Sequence, residues 1–207
     1  SFIGEDESVF LFQYVFSNAG IGDRKGACRL LTIPSGEQGQ NYADRVDSDG
    51  WRFDANKNQL SVGSCTLQST KTNARFSIQI DGVIATLVFE KPLERLKVPT
   101  QKAPEGFFEM EVLARGTPAR LSFKGKKGAR NIRGFAYMDH TRSTAKMSEL
   151  ASEIYRIRIL GGPSSRLYQI SKAKTGVRAW TLKGEAKKIE RVLNPKISFG
   201  GSNGRPT

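Results

Sequence analysis

The sequence predicts an all-β protein of short antiparallel strands, a sandwich or a barrel, with at most one short helix. Three observations carry this. Apolar and polar residues alternate in short runs, as in residues 76–80 and 83–89. Successive side chains point to opposite faces of a strand, so a period of two predicts a sheet with one buried face. Turn signals such as Asp49-Gly50 and Asp81-Gly82 separate the runs. Only one stretch has helical spacing, in Met147, Leu150, Ala151 and Ile154 behind the possible cap Ser143.

In chain order, residues 8–17 (SVFLFQYVFS) are rich in aromatic and β-branched residues and predict a buried strand. Gly20, Gly22 and Gly26 around Asp23 predict a turn, and residues 27–33 the returning strand, stopped by Pro34. Residues 35–41 are a polar loop. After Asp49-Gly50, Trp51 and Phe53 share one face, as do Leu60 and Val62. Residues 74–90 predict a hairpin with Phe76, Ile78 and Ile80 inward beside Val83, Ala85, Leu87 and Phe89. Residues 91–106 contain Pro92, Pro99 and Pro104 and read as a connector, because proline cannot donate to a sheet ladder. Residues 107–114 and 119–124 are strands joined by a turn at 115–118, and 125–128 is a hairpin tip carrying Lys126 and Lys127. Residues 154–160 alternate again, with Arg156 and Arg158 opposite Ile157 and Ile159. Gly161-Gly162-Pro163 breaks that run; residues 167–171, 177–182 and 189–193 are further strands, and 199–207 a flexible tail.

The chain has 207 residues, 38% hydrophobic and 26% charged, which suits one large or two small domains. No apolar run reaches the roughly 20 residues of a membrane span, and the opening residues do not form a signal peptide. The default compartment is therefore the cytoplasm, although the lack of an initiator Met reads as a processed or trimmed product whose native targeting is invisible. Cys28 and Cys65 are expected as reduced, buried thiols, with a disulfide as the alternative. Residues 1–100 carry 11 Lys/Arg and 12 Asp/Glu, whereas the remainder carries 22 and 8. All of the net +13 thus lies after residue 100. Such asymmetry suits anionic lipid, nucleic acid or another polyanion, and equally a basic solvated surface.

Several chemistries lack their residues. Asp44, Asp47, Asp49 and Asp54 do not have the spacing of a calcium loop. One histidine and two distant cysteines do not make a zinc site. No serine lies in a GxSxG context, and GKKG at 125–128 lacks the spacing of a P-loop. The Arg156/Arg158 face and the Lys/Arg of residues 172–191 can track phosphates, with Tyr168 and Trp180 available for stacking.

The stretch with most chemistry is NIRGFAYMDHTR, residues 131–142, which holds the only histidine. Asp139, His140 and Tyr137 together can supply general acid–base catalysis. Alternation points Tyr137 and Asp139 to one face and Met138 and His140 to the other. Asp139 and His140 therefore act together only where the strand ends or bulges. The alternative is an Asp–His pair that fixes a strand end.

The order of segments is informative as well. YVFSN (14–18), Trp51 with Phe53, VFEKP (88–92), FFEMEVLARG (107–116), ARLSFKG (119–125) and RGFAYMDHTR (133–142) follow one another. This resembles the lipocalin-like (calycin) superfamily of carotenoid 1,2-hydratase, AttH-like and survival-factor-1-like proteins, over residues 8–160. Gly134, Tyr137, Asp139 and His140 match its signature G-x-x-Y-x-D-H-x-x-G; Ser143 stands for the final Gly, and Arg142 for the Trp often found before it. The resemblance implies two successive lipocalin-like domains, here 1–132 and a short or partial 133–198, followed by the tail 199–207. It implies a hydrophobic ligand (isoprenoid, polyketide or lipid) contacted by Trp51, Phe53 and Phe135. It also implies acid–base hydration, isomerisation or cyclisation, with Asp139 as acid, His140 its partner and Tyr137 a hydrogen-bond donor. Such chemistry requires no cofactor. The alternative is a non-catalytic module whose basic second half docks anionic lipid or nucleic acid. Asp139 and His140 lining an apolar cavity would favour the first; a cap on an exposed turn would favour the second.

Overall fold

The alternating runs form antiparallel strands in a computed structural model, which describes residues 1–17, 24–173, 176–184, 186 and 188–193. The expected turn at Gly20, Gly22 and Asp23 and the tail 199–207 lie outside these residues. The first sheet has twelve strands: β1 (Phe2–Gly4), β2 (Val9–Ser17), β3 (Lys25–Ile33), β4 (Gln40–Val46), β5 (Trp51–Asp54), β6 (Gln59–Val62), β7 (Cys65–Ser69), β8 (Ala74–Ile80), β9 (Val83–Phe89), β10 (Leu96–Ala103), β11 (Gly106–Gly125) and β12 (Gly128–Ser143). Their order is β4-β3-β2-β1-β12-β11-β9-β8-β7-β6-β5, with β10 paired to the first half of β11. The sheet curls into a nearly closed antiparallel barrel.

The seam between the two ends of that order is held by side chains. Cys28 on β3 and Cys65 on β7 form a disulfide with Cα atoms 6.4 Å apart. The Asp44 carboxylate accepts from the Ser64 backbone N–H at 3.1 Å and from the Ser64 hydroxyl at 2.9 Å. The Trp51 indole N–H donates to the Arg24 carbonyl at 2.8 Å. The expectation of reduced thiols is corrected: barrel closure brings the two cysteines together, which their spacing in the sequence does not reveal.

The hairpin β8–β9 buries the expected face, with Phe76, Ile78, Ile80, Val83, Ala85, Leu87 and Phe89 all in the core. Phe2, Phe10, Phe12 and Phe123 fill the barrel beside them, and Phe10 meets Phe123 edge-on at 5.2 Å between centroids. Three expectations are corrected. Residues 96–103 are a strand rather than connector, because Pro99 falls where the β10 register shifts between Val98 and Gln101. Residues 115–118 do not turn the chain, since β11 runs through them with bulges at Leu113 and Gly116. Gln40 and Asn41, read as loop, open β4.

The helix is a single turn, α1 (Met147–Leu150), and a 3-10 turn covers Gly162–Ser164. The remaining strands, β13 (Glu153–Ile159), β14 (Arg166–Ala173), β15 (Gly176–Lys183) and β16 (Glu190–Val192), make a second sheet in sequence order. It packs on the outside of the barrel, where β11 and β12 extend beyond it. Phe108, Met110, Val112, Tyr137, Leu167 and Trp180 belong to this second core. They come from both sides of residue 132/133.

Candidate functional site

β12 connects the two cores. Ile132, Ala136 and Met138 contact the barrel core, while Phe135, Tyr137 and Asp139 lie on the outer face under the second layer. Gly134 belongs to the inner set for a steric reason: a Cβ there would stand 2.1 Å from the Ile3 carbonyl oxygen of the neighbouring strand. The match of Gly134 to the signature therefore has a packing cause of its own.

Tyr137 and Asp139 both meet Arg158 of β13. The Arg158 guanidinium stacks 4.7 Å from the Tyr137 ring centroid, and its Nη2 is 3.6 Å from Asp139 Oδ1. Both charged side chains are largely covered, Arg158 at 26% and Asp139 at 16% exposure. Burial raises the Tyr137 phenol well above its ordinary 10.0, and the Asp139 carboxylate beside it raises it further. Asp139 thus faces a cation and a neutral phenol.

His140 does not join them. It is exposed, paired in register with Glu111, on the strand face opposite to Asp139. The bulge that could have reunited the pair lies on the partner strand: Val112 pairs Asp139 and Ala114 pairs Met138, leaving Leu113 as the extra residue. Alternation along β12 itself is unbroken, so the imidazole and the carboxylate reach different spaces.

Of the residues expected to hold a ligand, Phe135 lines a cleft and the other two lie elsewhere. Trp51 packs on Phe16 at the barrel seam, 5.0 Å between ring centroids, and Phe53 is 58% exposed. The Phe135 cleft, about 530 Å³ in volume, opens at the junction of barrel and second sheet. Leu96, Leu113, Phe135 and Pro163 supply apolar walls, and Lys91, Glu94, Arg95 and Arg115 supply charge. Arg115 is mostly committed, pairing with Glu94 and donating to the Ala186 carbonyl. Lys91 and Arg95 are exposed at the cleft.

The cleft follows from local geometry. Gly116 at φ +74° lets β11 bulge towards the 3-10 turn, where a Cβ would stand 1.8 Å from Ser165 Oγ. The segment before β10 is tied to the same region, with the Glu94 N–H donating to the Leu113 carbonyl at 2.9 Å and the Glu90 N–H to the Pro118 carbonyl at 3.0 Å. Lys91, Arg95 and Arg115 were missed in the sequence because they sit in stretches that read as connector and turn, and Leu113 because nothing in its strand pattern marks the bulge there. The signal present was the cluster of Lys91, Arg95 and Lys97 amid prolines. No family model, curated protein or solved structure matches this chain.

Proposed function

We propose that this protein is a non-catalytic binding module that takes a small amphipathic anion, an apolar body with an acidic head such as a lipid-like carboxylate, in the junction cleft. The observation that carries this reading is the composition of the cleft: apolar Phe135, Leu96, Leu113 and Pro163 beside exposed Lys91 and Arg95. Its volume falls within the roughly 300–1,000 Å³ of small-molecule sites, and domain junctions favour such sites. The ligand is hydrophobic, as the family resemblance implies, but lies outside the barrel, whose interior carries the rings of Phe2, Phe10, Phe12, Phe76 and Phe123. Acid–base turnover is disfavoured, because Asp139 is engaged by Arg158 and His140 stands on the other face. The Cys28–Cys65 disulfide favours an oxidising compartment over the cytoplasm. No helix among the described residues is long and apolar enough to cross a membrane.

A fluorescent fatty-acid probe tests this. Arg95→Glu and Phe135→Ala should each weaken probe binding by about tenfold, through the head and the body respectively. Asp139→Asn should leave binding unchanged while lowering the melting temperature, because Arg158 loses its counter-charge. Probe affinity that ignores both cleft variants and falls in Trp51→Ala would move the ligand to the barrel seam and overturn the proposal.

A further inference from the structure

The second sheet lies on the barrel with polarity partly reversed. An antiparallel sheet with one wet face ordinarily buries its apolar side and exposes its polar side. Here Arg156 and Arg158 of β13 turn inward, over the rings of Phe108 at 5.8 Å and Tyr137 at 4.7 Å. Arg156 donates to the amide oxygen of Gln169 at 3.1 Å, and Gln169 is 2% exposed. The opposite face carries Tyr155, Ile157 and Ile159, continued across β14 by Tyr168 and Ile170, which pair with Ile157 and Tyr155. Ile157 and Ile159 are 37% and 53% exposed, and Val177 at the far end of the face is 38% exposed. A one-residue change of register would have put the isoleucines inside. The sequence instead spends its arginines there and keeps a contiguous apolar face outward, which in a folded protein marks an interaction surface.

The charge around that face selects the partner. Residues 153–193 hold ten Lys/Arg against three Asp/Glu, and eight of the ten remain once the inward Arg156 and Arg158 are set aside. Arg166 and Lys183 lie in the same cross-strand row as Ile159, and Lys172 stands at the opposite end. Lys172 pairs with Glu153 at 3.2 Å and Lys183 with Glu190 at 3.8 Å, whereas Arg166 has no acidic partner among the described residues. We propose that this outer face docks on an anionic lipid bilayer, with the isoleucines and the two tyrosine rings at the headgroup boundary and the basic residues against acidic headgroups. Basic side chains near such a surface add attraction that salt screens, and aromatic rings with a polar tip suit the interface. A second copy of this chain would bring a like-charged face into contact. Single-stranded nucleic acid would need π-faces for its bases where the isoleucines stand, and guanidinium groups that Arg156 and Arg158 hold inside.

Vesicle flotation of the intact protein tests the proposal. The protein should float with phosphatidylcholine vesicles containing phosphatidylglycerol, much less with phosphatidylcholine alone, and less as salt rises. The double change Ile157→Ser, Ile159→Ser should cut partitioning by about tenfold with the cleft probe still bound. Arg166→Glu, at an exposed position, should weaken flotation independently and serves if the double variant melts early. Failure to float at low salt would overturn the proposal, as would flotation indifferent to both variants. Vesicle-independent dimerisation, or binding to a single-stranded oligonucleotide in place of vesicles, would assign the face to another partner.

Discussion

Tyr14 and Tyr137 are phenols whose protons the fold retains. Burial raises both above their ordinary 10.0. The unfolded chain releases these protons at lower pH than the folded one, so alkaline conditions favour unfolding. Stability from this source is complete below about pH 10 and is lost progressively above it. Melting temperatures measured across that range should fall, and Tyr14→Phe should flatten the decline. At neutral pH the same variant should be unchanged or up to about 1 kcal/mol more stable, since the Tyr14 hydroxyl is buried without a partner among the described residues. At this scale the sequence was legible where alternation alone decided the outcome. It put Tyr137 and Asp139 on one face and His140 on the other, as β12 does. It did not reveal Arg158 as the group facing them, because nothing in the pattern of residues 154–160 says which face of β13 turns inward.

At the scale of elements, regular strands were readable and interrupted ones were not. β8 and β9 follow a strict period of two, flanking Asp81-Gly82, and bury the predicted residues. Ile78→Ala should cost on the order of 2–5 kcal/mol, because the side chain is 1% exposed and the barrel cannot collapse around the void. Chemical denaturation of the variant measures this; a loss of a few tenths would place Ile78 outside the tight core. β10 escaped recognition and β11 reads in the sequence as two strands split by a turn, because proline and glycine mark both turns and bulges, and only the partner strand distinguishes them. The same ambiguity hid the cleft, whose wall is formed by the Leu113 and Gly116 bulges. The predicted helix shortened to one turn because residues from Glu153 onward pair with β14, and strand pairing there overrides helical spacing.

For the whole molecule, the disulfide does what strand pairing does elsewhere in the barrel. β4 and β5 end the sheet order without bonding to each other, and Cys28–Cys65 spans the gap at a sequence separation of 37. Reduction, or replacement of both cysteines by alanine, should lower stability by about 2–4 kcal/mol, read as an earlier melt in dithiothreitol. An unchanged melt would mean that Asp44, Ser64 and Trp51 hold the seam unaided. The pairing of β1 has a consequence of a different kind. Phe2 takes its place beside Ala136, so β1 waits for a partner strand made more than a hundred residues after it. Closure is therefore a long-range event, slow by the standard of chains built from neighbouring contacts. In the interval, the aromatic strand Val9–Ser17 lacks the β12 side of its sheet, and it is there that a holding chaperone would find its apolar target.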